Sequence, residues 1–422
     1  MATHRVEPLA HPIDAVVAVP GSKSIANRAL ICAALADGTS TFHNLPDGDD
    51  TEALLTCLDL LGIGISTDQD RAAHIAGTGG ILRPGPIELP TRLAGTTSRF
   101  ITALAALGSG PYLVDGAPPL RSRPMAPLHD ALRALGATLQ PGEQWGLLPV
   151  TVSGPLSPVD RLEIPGDISS QFLTALMLIG PRVPGGLRIH ITTPLVSRPY
   201  VQITKQVMAD FGHDAVTISD DEIEVAEGRY RSCVYTIEPD ASSAGYPLAA
   251  AAIVGGRVEI PGLTATAMQG DAAFCDVLAA MGCTATRNDA STVVESGAAL
   301  RGIDIDMVDL SDLVPTLAAV AAFADSPTRI RGVGFIRAKE SDRLGDLCTE
   351  LRRLGAAAEE TDDGLTIEPS QLHGARLHTH HDHRLAMAFG LIGLRVPGVE
   401  IDDPDVVSKS WPGYWGMLGG LR

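Results

Sequence analysis

"SSQFLTALMLIG", residues Ser169 to Gly180, is apolar on nearly every face once it leaves its polar start. A helix with no polar stripe belongs inside a core rather than on a surface. The same arrangement, small polar residues followed by an Ala/Leu-rich run, returns five times. It occurs in "ANRALICAALADG" about Arg28, "TSRFITALAALG" about Arg99, "AGYPLAAAAIVGG" about Tyr246, "LVPTLAAVAAFA" about Pro315 and "DHRLAMAFGLIG" about Arg384. With Gln171 anchoring the opening stretch, the steps are 71, 72, 75, 69 and 69 residues. A second feature keeps similar time: an apolar helix end followed by Gly and a strand-like run, at Gly62, Gly136, Gly212, Gly282, Gly355 and Gly419. A Gly there can close a helix in the left-handed conformation. A period this regular decides the architecture: six units, each with two helices, strands outside and the first helix inside.

The residues before the six runs carry the chemistry. "GSKSIANR", "AGTTSR", "DISSQ", "DASSAGY", "DLSDLVPT" and "HDHR" place Ser, Thr, Asp or Gly at helix starts. Any one of them alone reads as an ordinary N-cap. Six in phase, three of them with Arg placed within the first turn, read as a shared polyanion site built from helix N-termini and cations.

Bulk properties narrow the classes. At 422 residues the chain is too long for one ordinary domain. With 45% apolar and 19% charged residues it has a globular composition. A net charge of -18 argues against nucleic acid and anionic membrane as partners, because both require a broad basic surface. The six cysteines form no CxxC pair, which implies reduced thiols, five of them in core-like surroundings. There is no apolar run of the ~18 residues that a membrane helix requires, and no signal or transit pattern. The expectation is a cytoplasmic protein that starts near Met1.

"VPGSKSIANRAL", "AGTTSRF", "RSRPM", "SSQFLTALM", "VSRPY", "DASSAGY", "QGD", "KESDRL", "DHRLAM" and "SKSWP" occur in that order. Together they resemble the 5-enolpyruvylshikimate-3-phosphate synthase family over essentially the full length. The resemblance implies an α/β fold, the two-domain inside-out α/β barrel, with six βαβαββ repeats, three per domain, around buried helices. It assigns residues 20–237 to an N-terminal domain, and residues 1–19 with 238–422 to a C-terminal domain that includes the first strand. The chain would cross near residues 19–21 and 236–240, with the active site in the cleft between the domains.

The reaction that the resemblance implies moves the enolpyruvyl group of phosphoenolpyruvate (PEP) to the 5-hydroxyl of shikimate 3-phosphate and releases phosphate. It implies a monomer with no cofactor and no metal. Both substrates are polyanions, so a chain of this charge needs a concentrated cationic pocket. By resemblance, shikimate 3-phosphate is held by Lys23, Ser24, Arg28, Ser169, Ser170, Gln171, Ser197, Tyr200, Asp312 and Lys339. PEP is held by Lys23, Gly95, Arg123, Gln171, Arg343, Arg384 and Lys409, where arginine forks suit carboxylate and phosphate. Gly95 lets backbone approach the ligand closely. Asp312 is implied as the general base and Glu340 as the other acid/base group, with Lys23 and Lys409 stabilising departing phosphate and developing charge.

Three positions depart from the family pattern: Leu93 where many relatives have Asn, Phe335 where a polar residue often contacts the phosphorylated substrate, and Phe100 where Pro is frequent. His378, His380, His381 and His383 could suggest a zinc tract. Alternation along a strand puts only some of them on one face, so Asp382 and His383 are read as shaping the turn that presents Arg384. Two rival functions stand beside this one. A UDP-N-acetylglucosamine enolpyruvyltransferase is disfavoured because "DGAPPLRSRPM" lacks the reactive Cys of that family's mobile loop. A non-catalytic phosphate-binding homologue is disfavoured because Lys23, Asp312, Glu340 and Arg384 are intact. A P-loop reading of "PGSKS" fails on glycine spacing.

Overall fold

The computed structural model describes residues 2–297 and 299–421. Gly21–Ile237 forms one compact unit, and the residues on either side of it form a second.

In the Gly21–Ile237 unit, three inner helices, Lys23–Leu35, Gly95–Ala105 and Ser170–Ile179, pack on one another and are buried along nearly their whole lengths. Their strands follow one plan. Ile87–Pro90 runs parallel to Tyr112–Asp115, which pairs antiparallel with Val150–Ser153, and that strand in turn with Thr138–Pro141. The parallel pair needs a crossover, and the inner helix Gly95–Ala105 supplies it. Leu162–Ile164, Leu187–Ile191, Glu222–Val225 and Val216–Ile218 repeat the plan. In the remaining sheet of this unit the opening position beside Ala36–His43 is taken by two late strands, Tyr230–Arg231 and Val234–Thr236.

The other unit has inner helices Ala241–Val254, Val314–Ala321 and His383–Gly393, again mutually packed and buried. Here Ile13–Val16, from the start of the chain, lies parallel to Gly256–Pro261. The first and fourth repeats have thus exchanged opening strands. In the sixth repeat Thr3–Arg5 pairs antiparallel with Glu400–Asp402 in a three-stranded sheet.

Gly62, Gly136, Gly212, Gly282 and Gly355 all have left-handed φ, between 80° and 109°, just past an outer helix. Gly419 does not belong with them: it lies inside the last helix. A second correction concerns the arginines. Arg384 is in the first turn of its helix, but Arg28 is the sixth residue of Lys23–Leu35 and Arg99 the fifth of Gly95–Ala105. Their guanidinium groups reach the helix start by folding back: Arg28 donates to Ser24 O at 2.7 Å and Arg99 to Gly95 O at 2.9 Å.

Among the described residues all six cysteines are free thiols, five of them buried. No helix among them is long and apolar enough to cross a membrane.

Candidate active site

The cations predicted from sequence gather into two clusters, one in each unit. In Gly21–Ile237, Lys23 opens the first inner helix behind the N-cap Ser22, and its Nζ lies 2.9 Å from Asp50 Oδ2. Asp50 stands in the first turn of the helix Asp49–Leu60, and its carbonyl accepts from Thr97 Oγ1 at 3.0 Å. That one residue joins "GSKS" to "AGTT". Arg28 is buried and works as a staple: Nε donates to Thr204 Oγ1 at 2.9 Å, and Nη2 to Tyr200 O at 3.2 Å and Thr174 Oγ1 at 3.3 Å. Its guanidinium lies 5.6 Å from the centre of the Tyr200 ring and 5.7 Å from that of Phe100, so Phe100 has a packing role. Burial pushes its pKa down to about 10, and it stays charged at neutral pH.

Ser169 caps the third inner helix, accepting from Gln171 N at 3.3 Å, and Ser170 is buried behind it. Gln171 Oε1 is buried and accepts no hydrogen bond from any described residue. Ser197, also buried, has a left-handed φ of 55° two residues before the helix Pro199–Asp210, which begins with Pro and Tyr200. At Gly95 the fit is tight: a Cβ would sit 2.4 Å from Arg123 Nη1 and 2.8 Å from its Cζ. The absent side chain is what lets the Arg123 guanidinium lie against the helix start. Arg99 supports the same corner by donating to Pro124 O at 2.9 Å.

The second cluster centres on Arg343, which is 1% exposed. Nε donates to Asp382 Oδ2 at 2.7 Å, Nη2 to Glu340 Oε2 at 2.7 Å, and Nη1 to Asp312 Oδ1 at 3.0 Å. Asp312 receives Arg384 Nη2 on its other oxygen at 2.7 Å, with Lys339 Nζ at 4.0 Å. Asp382 also caps the sixth inner helix, accepting from Arg384 N at 2.9 Å. It therefore positions both arginines. Phe335 packs beneath Lys339, with the ammonium 5.8 Å from the ring centre. Lys409 is buried at the end of the turn Pro404–Lys409, which packs on the sixth inner helix.

Electrostatics divide the carboxylates. Burial alone would raise the pKa of Asp312, but Arg384, Lys339 and Arg343 outweigh it and hold this carboxyl far below the usual range. Asp271, also buried, accepts a hydrogen bond from Ser242 Oγ, and burial together with the charge of Asp312 pushes its pKa up to about 7.

The fold agrees with three comparisons with known proteins. The family model for EPSP synthase (3-phosphoshikimate 1-carboxyvinyltransferase) matches residues 9–418. The chain belongs to the EPSP synthase family. It is 43% identical over 417 residues to the 3-phosphoshikimate 1-carboxyvinyltransferase of Trichormus variabilis, covering 98% of each chain. It is 41% identical over 410 residues to that of Methanoculleus marisnigri, covering 97% of each. The structure of EPSP synthase from Acinetobacter baumannii superposes with a TM-score of 0.83 at 24% identity over 99% of this chain and 98% of that one, a likeness of fold. As an EPSP synthase family member the chain is a transferase, and the findings favour this family over the sugar-nucleotide rival.

Sequence reasoning assigned no role to Asp50 or Asp271, did not pair Asp382 with Arg343, and counted Arg99 only among the cations at the helix starts. Asp50 is one of three acids in the first turn of Asp49–Leu60, where acids ordinarily complement the helix N-terminus. Asp271 lay in "QGD", a matched stretch with no role assigned to it. The histidines separate: His378 pairs with Asp402 at 2.9 Å, His380 with Glu350 at 2.9 Å, and His381 with Asp403 at 3.3 Å. Among the described residues no group of three or more His, Cys, Asp or Glu could hold a metal ion.

Proposed function

We propose that this chain transfers the 1-carboxyvinyl group of PEP to the 5-hydroxyl of shikimate 3-phosphate, and that both cation clusters act on that one pair of substrates. Family membership over nearly the whole chain carries the reading, and the chemistry of the clusters supports it. Lys23, Ser24, Arg28, Ser169, Ser170, Gln171, Ser197, Tyr200, Asp312 and Lys339 bind shikimate 3-phosphate. The unpartnered Gln171 Oε1 is an acceptor for a substrate hydroxyl. Lys23, Gly95, Arg123, Gln171, Arg343, Arg384 and Lys409 bind PEP.

In the addition step the 5-hydroxyl oxygen bonds to C2 of PEP, its proton passes to a base, and C3 gains a proton. In the elimination step the C2–O bond to phosphate breaks and C3 returns a proton. Asp312 is the base for the hydroxyl. Clamped by two arginines it is a weak one, because its charge is already neutralised. An anionic substrate competes for the same guanidinium groups, and each one drawn to PEP returns basicity to Asp312. Glu340, bonded to Arg343, is the second acid/base group. Lys23 and Lys409 meet the charge on the departing phosphate. The chain acts as a cytoplasmic monomer.

Phosphate release tests the reading: turnover is expected with PEP plus shikimate 3-phosphate and none with PEP plus UDP-N-acetylglucosamine. Turnover only with the sugar nucleotide, or with neither, overturns it.

A further inference from the structure

Glu350, on the helix Gly345–Arg353, is fully buried, and an ionised carboxylate there requires partners. Its Oε2 accepts from the backbone N–H of His378 at 3.1 Å and lies 3.3 Å from Arg353 Nε. Its Oε1 lies 2.9 Å from Nε2 of His380, whose Nδ1 is 3.3 Å from Asp346 Oδ1, one turn earlier on the same helix. His380 and His381 both have left-handed φ, 51° and 58°. Side chains adopt that conformation only where the surroundings impose it, at about 1–3 kcal/mol each. The next residue is Asp382, which grips Arg343 and caps the sixth inner helix, and after His383 comes Arg384. A strained turn that delivers two members of the cluster, Asp382 and Arg384, is therefore tied at one end to a buried carboxylate.

We infer that Glu350 and His380 are positioning residues for the reaction: His380, pinned between Glu350 and Asp346, fixes the turn that sets Asp382 and Arg384. For the role of Arg384 towards PEP this rests on the function proposed above.

The groups facing His380 are Glu350, Asp346 and Arg353 on the helix, and His378 on its own segment, with ring centres 6.3 Å apart. Behind these, Asp402 holds His378, and Asp403 holds His381. Two carboxylates against one arginine favour the imidazolium. The hydrogen bond to Glu350 raises the pKa of His380 above the ordinary histidine value, with burial opposing it. The anchor is thus complete below that ordinary value and weakens as pH rises through the higher folded one.

Histidine and arginine resonances of selectively labelled protein test this from about pH 5.5 to 9. The expected result is a His380 midpoint above ~6.5, an Arg384 Nε–H signal that moves with the same midpoint, and a KM for PEP that rises up to about tenfold across it while kcat changes little. His380→Gln, a neutral donor, should abolish the Arg384 transition and hold KM at its high-pH value. Glu350→Gln should move both midpoints down together. An Arg384 signal indifferent to His380, or a wild-type transition in His380→Gln, overturns the inference. If turnover is absent at every pH the function above fails, while the coupled resonances still decide this point.

Discussion

At Asp312 one carboxylate is shared by two arginines, and the chemistry of the cluster depends on how that sharing ends. Asp312→Asn keeps the shape and removes the base. Turnover should fall about 10²- to 10⁴-fold, while calorimetry should find shikimate 3-phosphate binding retained within a few-fold; unchanged phosphate release would remove Asp312 from the mechanism. Because its folded pKa is depressed, the pairing of Asp312 is complete above the ordinary carboxyl value of ~3.9 and is lost only as pH falls towards the lower folded one. Titrations nearer neutrality belong elsewhere, and Asp271 is placed to supply one. A carboxyl whose folded pKa is raised opposes folding once the unfolded chain has ionised. That cost is absent below ~3.9, grows as pH rises to about 7 and is constant beyond. Asp271→Asn keeps an acceptor for Ser242 and cannot ionise, so thermal unfolding should find it more stable than the wild type at neutral pH and without that advantage at acid pH. A constant difference at every pH would mean that Asp271 does not titrate as the geometry requires.

At the scale of the element, the inner helices combine tight packing with an interior filled by small side chains. Ala241–Val254 is buried on every side over almost its whole length, and a Cβ at Gly245 would come within 2.4 Å of a Leu313 methyl carbon. Ala250→Leu adds bulk where nothing can give, and should destabilise its unit by about 1–3 kcal/mol in denaturant unfolding. A neutral result would show a void beside the helix. These helices were legible in the sequence for the same reason that they are sensitive: total burial erases the polar stripe, and the period exposes the repeat. Arg28 was harder to place, since a text pattern marks where a long side chain begins but not that it folds back over about one turn of helix to Ser24. Glu350 was invisible because it sits in "CTELRR", which reads as the charged face of a surface helix although its carboxylate is fully buried. Gly419 fits the same apolar-Gly text, yet it lies inside the helix Tyr414–Gly420.

Across the whole molecule two opposing fields act on an incoming polyanion. The exchange of opening strands between the first and fourth repeats could be anticipated only through family resemblance, since no local pattern reveals which sheet a four-residue strand such as Ile13–Val16 will join. The net charge, in contrast, is plain from composition, -18 overall, and among the described residues the buried cations are Arg28, Arg99, Arg123, Arg343, Arg384 and Lys409. At long range the net charge repels both substrates through water, where salt screens beyond about 10 Å at 0.1 M. On the function proposed above, Lys23, Arg343 and Arg384 attract them at short range, and burial shields these groups from salt. The screened term is the repulsive one, so kcat/KM for both substrates should rise, by about two-fold, as an inert salt is raised from about 0.01 to 0.15 M. A protein that captures polyanions on an exposed basic surface does the reverse. Initial rates at subsaturating substrate decide between them: a steady fall over that range would mean that the cation clusters reach into solvent and dominate the field that the substrates meet.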